Sequence, residues 1–427
     1  MDAEDLILVS VDDHLVERPD LFDRHIPARY ADDAPRVVRK PDGSDVWVFN
    51  GSEIPNVGLN AVAGRPKEEY GIEPTAFDEM RPGCYDIDER VKDMDAGGVL
   101  GSMCFPSFPG FSGRLFAAAS DKGLALAVLQ AYNDWHVEEW CGAYPGRFIP
   151  MGLPVLWSPE LAAAEVRRLA KKGVHSVTFT ENPKTLGYPS FHDESWDPLW
   201  RALSDEGVVL SVHLGSSGQL VVTAPDAPID VMITLQPMNI CTAAADLLWS
   251  RIIKGFPDIK IALSEGGTGW IPYFLDRVDR TYDMHRGWTG QDFGAKLPSE
   301  VFREHFLTCF IADPVGVQLR NLIGIDNIAW ECDYPHSDSS WPEAPEELAH
   351  VMAGVSDEDV NKITHENAMR WYSFDPFAHR SRETSTVGAL RAGVPGHDVS
   401  VRSYDKGRFE RTHKGADLGK LAEKASA

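Results

Sequence analysis

Asp12 and His14 close an apolar run over residues 7–11, with Asp13 between them. In an extended strand, side chains two apart share a face, so the Asp12 carboxylate and the His14 imidazole converge while Asp13 points away. A carboxylate paired with an imidazole suits a divalent cation. Taken alone, Asp-x-His is a motif that chance supplies, and Asp12 reads equally well as a cap of the following loop. The metal reading gains weight if other acids and histidines occupy equivalent places. They do: Glu181 follows the apolar segment 174–180, His213 lies in 208–214, Glu265 follows 259–263 and Asp333 follows 327–332.

The elements that would position these groups alternate in type. Strand candidates at 7–14, 99–105, 147–156, 174–180, 208–214, 259–263, 306–311 and 327–332 are separated mostly by helical segments. The helical segments include 86–96, 117–143, 196–206, 231–253, 271–285 and 315–323. Ser158-Pro159-Glu160 starts another helix, with a serine N-cap and proline at the first helical position, and Gly173 ends it. This order predicts a (β/α)8 TIM barrel, in which catalytic residues come from the carboxyl ends of the strands. Stray acids and histidines would fall on helix surfaces as often, so the topology assigns Asp12, His14, His213 and Asp333 to one metal site.

Residues 15–84 are rich in Pro, Asp and Gly, with a β-like patch at Val46-Trp-Val-Phe49. They are too long for a simple connection and read as an insertion or lid after strand one. The expected organisation is a barrel domain over 1–376 and a polar arm or tail over 377–427, with packing on a partner subunit favoured for the arm. A homo- or hetero-oligomer is expected accordingly.

Composition bounds the function classes. The 427 residues are 43% hydrophobic and 25% charged, an ordinary folded composition. A net charge of −24 opposes binding to nucleic acid or to an anionic membrane and leaves a small-molecule substrate as the expected partner. Six scattered cysteines without C-x-x-C spacing suggest neither a zinc knuckle nor a disulfide framework and fit a reducing compartment. The amino terminus is acidic and no uninterrupted apolar run approaches about 18 residues, so a cytoplasmic location is expected. No glycine-rich nucleotide fingerprint, phosphate loop or G-x-S-x-G elbow appears, which argues against a nucleotide cofactor or a serine nucleophile. His192 reads as either a pocket-mouth contact or a structural residue. His136, His365, Cys104 and Cys332 read as packing residues, and Phe105, Phe108, Phe111 and Trp341 as loop aromatics able to line an apolar pocket.

The segments Val11-Asp-Asp-His14, Ser211-Val-His-Leu-Gly-Ser-Ser217, Leu263-Ser-Glu-Gly-Gly267 and Glu331-Cys-Asp-Tyr-Pro-His336 together resemble the amidohydrolase-related branch of the amidohydrolase superfamily. That branch includes the aminocarboxymuconate-semialdehyde decarboxylase group. The resemblance spans roughly residues 6–376 and includes Asp193-Glu-Ser-Trp-Asp-Pro-Leu-Trp200 and Ile363-Thr-His-Glu-Asn-Ala368. It implies a metal held by Asp12, His14, His213 and Asp333 that activates water or polarises substrate, with Asp333 accepting or returning the proton. Two positions depart from the pattern: many relatives carry histidines where this chain has Asp12 and Glu265. With Glu181 at the place of a bridging carboxylate in two-metal relatives, and His336 on the loop past Asp333, the set allows one or two ions of zinc, iron or manganese.

The leading expectation is a metal-dependent hydrolase or decarboxylating lyase of a small organic substrate, with Asp333, Glu265 and His336 as catalytic groups. A dinuclear iron or manganese oxygenase is the second expectation. A noncatalytic subunit of a hetero-oligomer is the third.

Overall fold

The computed structural model describes residues 1–55, 57–70, 74–404, 406 and 407. Its strands, in chain order, are β1 (Leu8–His14), β2 (Arg36–Arg39), β3 (Asp45–Phe49), β4 (Ser52–Ile54), β5 (Val99–Phe105), β6 (Met151–Gly152), β7 (Ser176–Thr180), β8 (Val209–His213), β9 (Ile261–Ser264), β10 (Phe306–Phe310) and β11 (Ile328–Trp330). β1 pairs with β5 in parallel, and β6 to β11 form a parallel sheet in sequence order.

Two seams close these into the expected (β/α)8 barrel. Between β5 and the segment entering β6, Ser102 N–H donates to Arg147 O and Ile149 N–H to Ser102 O, both at 3.0 Å. Between β1 and the end of β11, Asp333 N–H donates to Asp12 O at 2.8 Å and His14 N–H to Tyr334 O at 2.7 Å. Alternate strand residues fill the interior, with Val9, Val11, Leu100, Met103, Val209, Ala262, Leu307 and Ala329 buried in one cluster. The opposite faces pack against the surrounding helices in a second, larger cluster.

The third expected strand, 147–156, is regular only over β6. A Cβ at Gly152 would collide with Leu169 of the helix Pro159–Ala170, so the glycine permits a close helix–strand approach. The expected helix 117–143 is Lys122–Trp135, extended by a π-helical turn at His136–Cys141. The expected helix 231–253 is divided into Ile229–Leu235, Met238–Leu248 and Arg251–Gly255. Taken as one stretch, Ile229–Leu248 is long and apolar enough to cross a membrane by length and composition, with 28% of its apolar window buried. Polar residues, Asp230, Gln236 and Asp246 among them, interrupt the stretch, so it holds no unbroken apolar run of that length.

Residues 15–84 build a three-stranded antiparallel sheet with β3 at its centre, confirming the β-like patch. The insertion is pinched at its neck, where Val16 N–H donates to Cys84 O at 2.8 Å. Trp47 of β3 stacks on Phe108, with ring centroids 4.2 Å apart and planes at 19°, docking the sheet on the loop after β5.

The expected arm behaves differently from its polar composition. Through residue 404 it packs on its own barrel: Val387 and Leu390 are buried, and Val387 N–H donates to Leu6 O at 2.8 Å. Arg81 donates to Asp398 O at 2.9 Å, His397 Nε2 lies 2.6 Å from Asp93 Oδ1, and Arg402 N–H donates to Gly64 O at 2.9 Å. The boundary expected at 376 is therefore corrected for 377–404, which pack on the barrel as part of the same folded body. Residues 408–427 lie outside the described residues.

Candidate metal centre

β1 delivers Asp12 and His14, β8 delivers His213, and the turn leaving β11 delivers Asp333 and then His336. Asp12, His14, His213 and Asp333 are each 0% exposed. The His213 Nε2 atom is 3.2 Å from His14 Nε2 and 3.4 Å from Asp12 Oδ1, and His14 Nε2 is 3.4 Å from Asp333 Oδ1. His336 stacks on His14 with centroids 3.8 Å apart, and its Nδ1 lies 3.0 Å from Asp333 Oδ1. Donor atoms of Asp12, His14 and His213 fall within 4.8 Å of one another, as do those of His14, Asp333 and His336. His14 belongs to both triads, so the five side chains form one cluster.

Six polar atoms of this cluster lack hydrogen-bond partners. Neither carboxylate oxygen of Asp12 or Asp333 has a hydrogen bond, and neither do His14 Nδ1 and His336 Nε2. A buried ionised carboxylate without a partner costs several kcal/mol, and two together cost more, unless a cation neutralises them. Burial, then the charge of Asp13, holds the Asp12 carboxyl well above the usual aspartate range. Burial, then the charge of Asp12, does the same to Asp333. Burial and the neighbouring His336 and His213 push His14 well down, and burial pushes His336 down to about 4. His213 Nδ1 lies 2.5 Å from Leu214 O, so Nδ1–H donates there and the Nε2 lone pair faces the cluster. Two carboxylates and neutral imidazoles aimed at one point fit a divalent cation.

Glu265 and Asp333 reach the barrel mouth through unusual backbone. Their φ angles are +58° and +55°, in the left-handed region that side chains other than glycine rarely adopt. Glu265 directly follows β9, and Asp333 lies in the turn after β11. Glu265 Oε2 comes within 3.5 Å of His213 Nε2, and its side chain keeps 21% exposure. Glu331, which the sequence reading passed over, accepts the Glu265 N–H at 3.2 Å and the Cys309 thiol at 2.6 Å. It lies two residues before Asp333, and that spacing on the last strand was the available signal.

Glu181 does not join the cluster. Its carboxylate accepts Ser217 N–H and the Ser217 hydroxyl, each at 2.7 Å, and also the Ser216 hydroxyl. The expected bridging ligand is thus corrected to a latch that clamps the loop after β8. Asp13 faces away as expected: it accepts Tyr334 N–H at 3.0 Å and the Ser102 hydroxyl, beside the buried Arg90. Glu17 is a second acid the sequence reading missed. It receives Ser107 N–H at 2.9 Å, Phe108 N–H at 2.7 Å and the Tyr132 hydroxyl at 3.3 Å, holding the loop after β5.

That loop contributes the wall of the site. The Phe111 ring lies 4.3 Å from His213 and 4.9 Å from His14, and Phe105 lies 4.5 Å from His213, centroid to centroid. Trp341 instead donates to Asp93 O at 2.8 Å and carries Arg81 on its face, away from the ligands. His192 pairs with Asp246 at 2.6 Å on the surface, while His136 and His365 are buried in helical turns. All six cysteines are free, Cys104 and Cys332 among the buried ones.

Comparison with known proteins agrees with this geometry. A curated decarboxylase of Penicillium terrestre is 26% identical over 212 residues, 47% of this chain and 59% of that protein. The match therefore spans somewhat over half the length of that relative. An amidohydrolase from Mycobacterium avium subsp. paratuberculosis superposes with a TM-score of 0.67 at 21% identity, covering 86% of this chain and 99% of the other. A 5-carboxyvanillate decarboxylase from Novosphingobium aromaticivorans, solved with manganese and 4-hydroxy-3-methoxy-5-nitrobenzoic acid, superposes with a TM-score of 0.58 at 18% identity over 87% and 98% of the two chains. At these identities the superpositions speak to the fold. The sequence pattern of the amidohydrolases matches residues 23–374, from the insertion to the last barrel helix, and the chain accordingly belongs to the amidohydrolase family.

Proposed function

We propose that the enzyme removes CO2 from a flat, unsaturated or aromatic carboxylic acid without a redox cofactor. The observation that carries this reading is the combination of unpartnered Asp12 and Asp333 oxygens with phenyl rings packed on the ligand imidazoles. Asp12, His14, His213 and Asp333 would hold the cation, as the aromatic walls of Phe105 and Phe111 would hold a planar ring. A divalent ion there supplies positive charge that draws in a carboxylate and stabilises negative charge developing on the substrate. The decarboxylase names of the relatives support the same reading.

Decarboxylation breaks a carbon–carbon bond, leaves its electron pair on the substrate carbon and requires one proton there. His336, whose Nδ1 lies 3.0 Å from Asp333 Oδ1 at the edge of the cluster, is placed to deliver it. Leu214 O fixes the His213 ring through Nδ1, and Glu265 stands beside its Nε2 at the cluster's edge. The chain's own residues thus bind, orient and protonate, and the buried site keeps bulk water from the carbanionic carbon.

Hydrolysis of an ester, amide or lactone is the second reading, favoured by the partly exposed Glu265 carboxylate, which is placed to act as a base towards a water molecule. The oxygenase reading needs a second metal, and Glu181, its expected bridge, is engaged by Ser216 and Ser217. The full ligand set argues against a noncatalytic subunit. The deciding experiment incubates the manganese- and zinc-loaded protein with a panel of hydroxylated benzoates and conjugated acids in D2O. Release of CO2 with one deuterium at the vacated carbon supports the proposal. Cleavage of esters, amides or lactones without CO2 release transfers the site to the second reading.

A further inference from the structure

A cavity of about 840 Å³ lies between the insertion sheet and the barrel mouth, outside the ligand cluster. Trp47, Phe49, Phe108 and Tyr188 give it aromatic walls, and its charged lining residues are Glu53 and Arg114. Glu53 is held by Lys40 at 2.7 Å. Arg114 is exposed, and among the described residues its guanidinium has no ion-pair or hydrogen-bond partner. A free guanidinium lining an aromatic-walled cavity, in a chain of net charge −24, is a focused attractor for an anion.

The chamber and the metal centre share the loop 107–113. Ser107, Phe108 and Gly110 line the chamber, while Phe111 packs on His14 and His213. Gly110 and Gly113, with φ of +73° and +77°, flank Phe111 and supply backbone freedom on both sides of it. Its carbonyl is fixed by the Thr178 hydroxyl at 2.6 Å. The same loop thus borders both the chamber and the ligand cluster.

We propose that this chamber binds the body of the substrate, and that Arg114 recognises a second anionic group on it. A cavity within the roughly 300–1,000 Å³ range houses a drug-sized molecule, so the ligand class is a fused-ring or extended aromatic acid with two carboxylates rather than a single benzoate ring. The aromatic lining supplies contact area, and the planar guanidinium supplies bidentate pairing with the second carboxylate. Only the identity of the reacting end rests on the decarboxylase reading.

Calorimetric titration tests the chamber directly, with naphthalene-2,6-dicarboxylate, 2-naphthoate and benzoate as probes, on manganese-loaded and metal-stripped protein. The expected result is a Kd about tenfold lower for the dicarboxylate than for 2-naphthoate, with benzoate weakest. Arg114→Gln removes the tenfold preference, Arg114→Lys restores part of it, and metal stripping leaves the Arg114-dependent part in place. Equal affinity for the mono- and dicarboxylate, or a preference that survives Arg114→Gln, overturns the proposal. An intact Arg114-dependent preference, with no CO2 released from any acid, refutes the reaction assigned above and leaves the chamber standing.

Discussion

The backbone N–H of Asp333 donates to the backbone carbonyl of Asp12 at 2.8 Å, so the seam that closes the barrel runs through two of the proposed ligands. Their side chains, adjacent and unpartnered, make the stability of the barrel depend on what lies between them. In metal-free protein the pair is two buried acids in mutual repulsion. With a cation bound it becomes a cross-link between the first and last strands.

Asp333→Asn is therefore expected to change sign with metal. Stripped of metal by chelation, the variant melts at the same temperature as wild type or above it, because one buried acid is gone. In manganese at a hundred times its Kd, wild type gains about 2.7 kcal/mol and the variant gains little. Melting curves with and without metal, read beside elemental analysis, check both halves. A variant that binds metal stoichiometrically and melts with wild type refutes the ligand assignment.

Metal uptake should release protons. Burial raises the pKa of Asp12 and Asp333 in the metal-free fold, so these acids contribute stability below the ordinary aspartate pKa, near 4, and lose it as pH climbs towards their raised values. Ligation requires the ionised forms and displaces those protons. The measured binding enthalpy should accordingly vary with the ionisation enthalpy of the buffer. Identical enthalpies in phosphate and Tris would contradict this.

His136 gives the fold an acid sensitivity of separate origin. Burial pushes its pKa down to about 4, so the folded chain keeps it neutral while the unfolded chain protonates it near 6.5. Its contribution is intact above pH 6.5 and is lost as pH falls towards 4, at about 1.4 kcal/mol per pH unit. Urea titrations of wild type and His136→Gln across this window should differ in slope by about one proton, the variant being flatter.

Glu181→Gln separates a latch from a ligand. The substitution loosens the loop after β8 and costs about 1–3 kcal/mol, the usual penalty for disturbing a buried acceptor. The metal content per chain should stay where it is in wild type. A stoichiometry that falls by one ion in the variant would restore Glu181 as a bridging group.

The clustering of Asp12, His14, His213 and Asp333 was legible because two short-range rules carried it. Alternation within a strand paired Asp12 with His14, and the barrel rule placed His213 and Asp333 at the same mouth. Glu181 looked equivalent by that rule. Its difference lies in Ser216 and Ser217, which reach it from the next strand's loop, and no local pattern announces such a contact. The sheet of the insertion showed only its centre, since β3 is mostly buried while β2 and β4 are mostly exposed and carry no apolar alternation. The arm was misread because Val387 and Leu390, two apolar residues in a polar stretch, are enough to dock it on the barrel floor.

The first strand is tied at one end to Asp333 and at the other to Val387, through Leu6. A nascent chain emerging at about 5–20 residues per second exposes that strand on the order of 20–80 s before its last partner is made. Its Leu8, Val9 and Val11, all buried in the finished barrel, must be shielded by other means over that time. The yield of active enzyme in a cell should therefore follow chaperone supply during synthesis more closely than the melting temperature of the finished molecule.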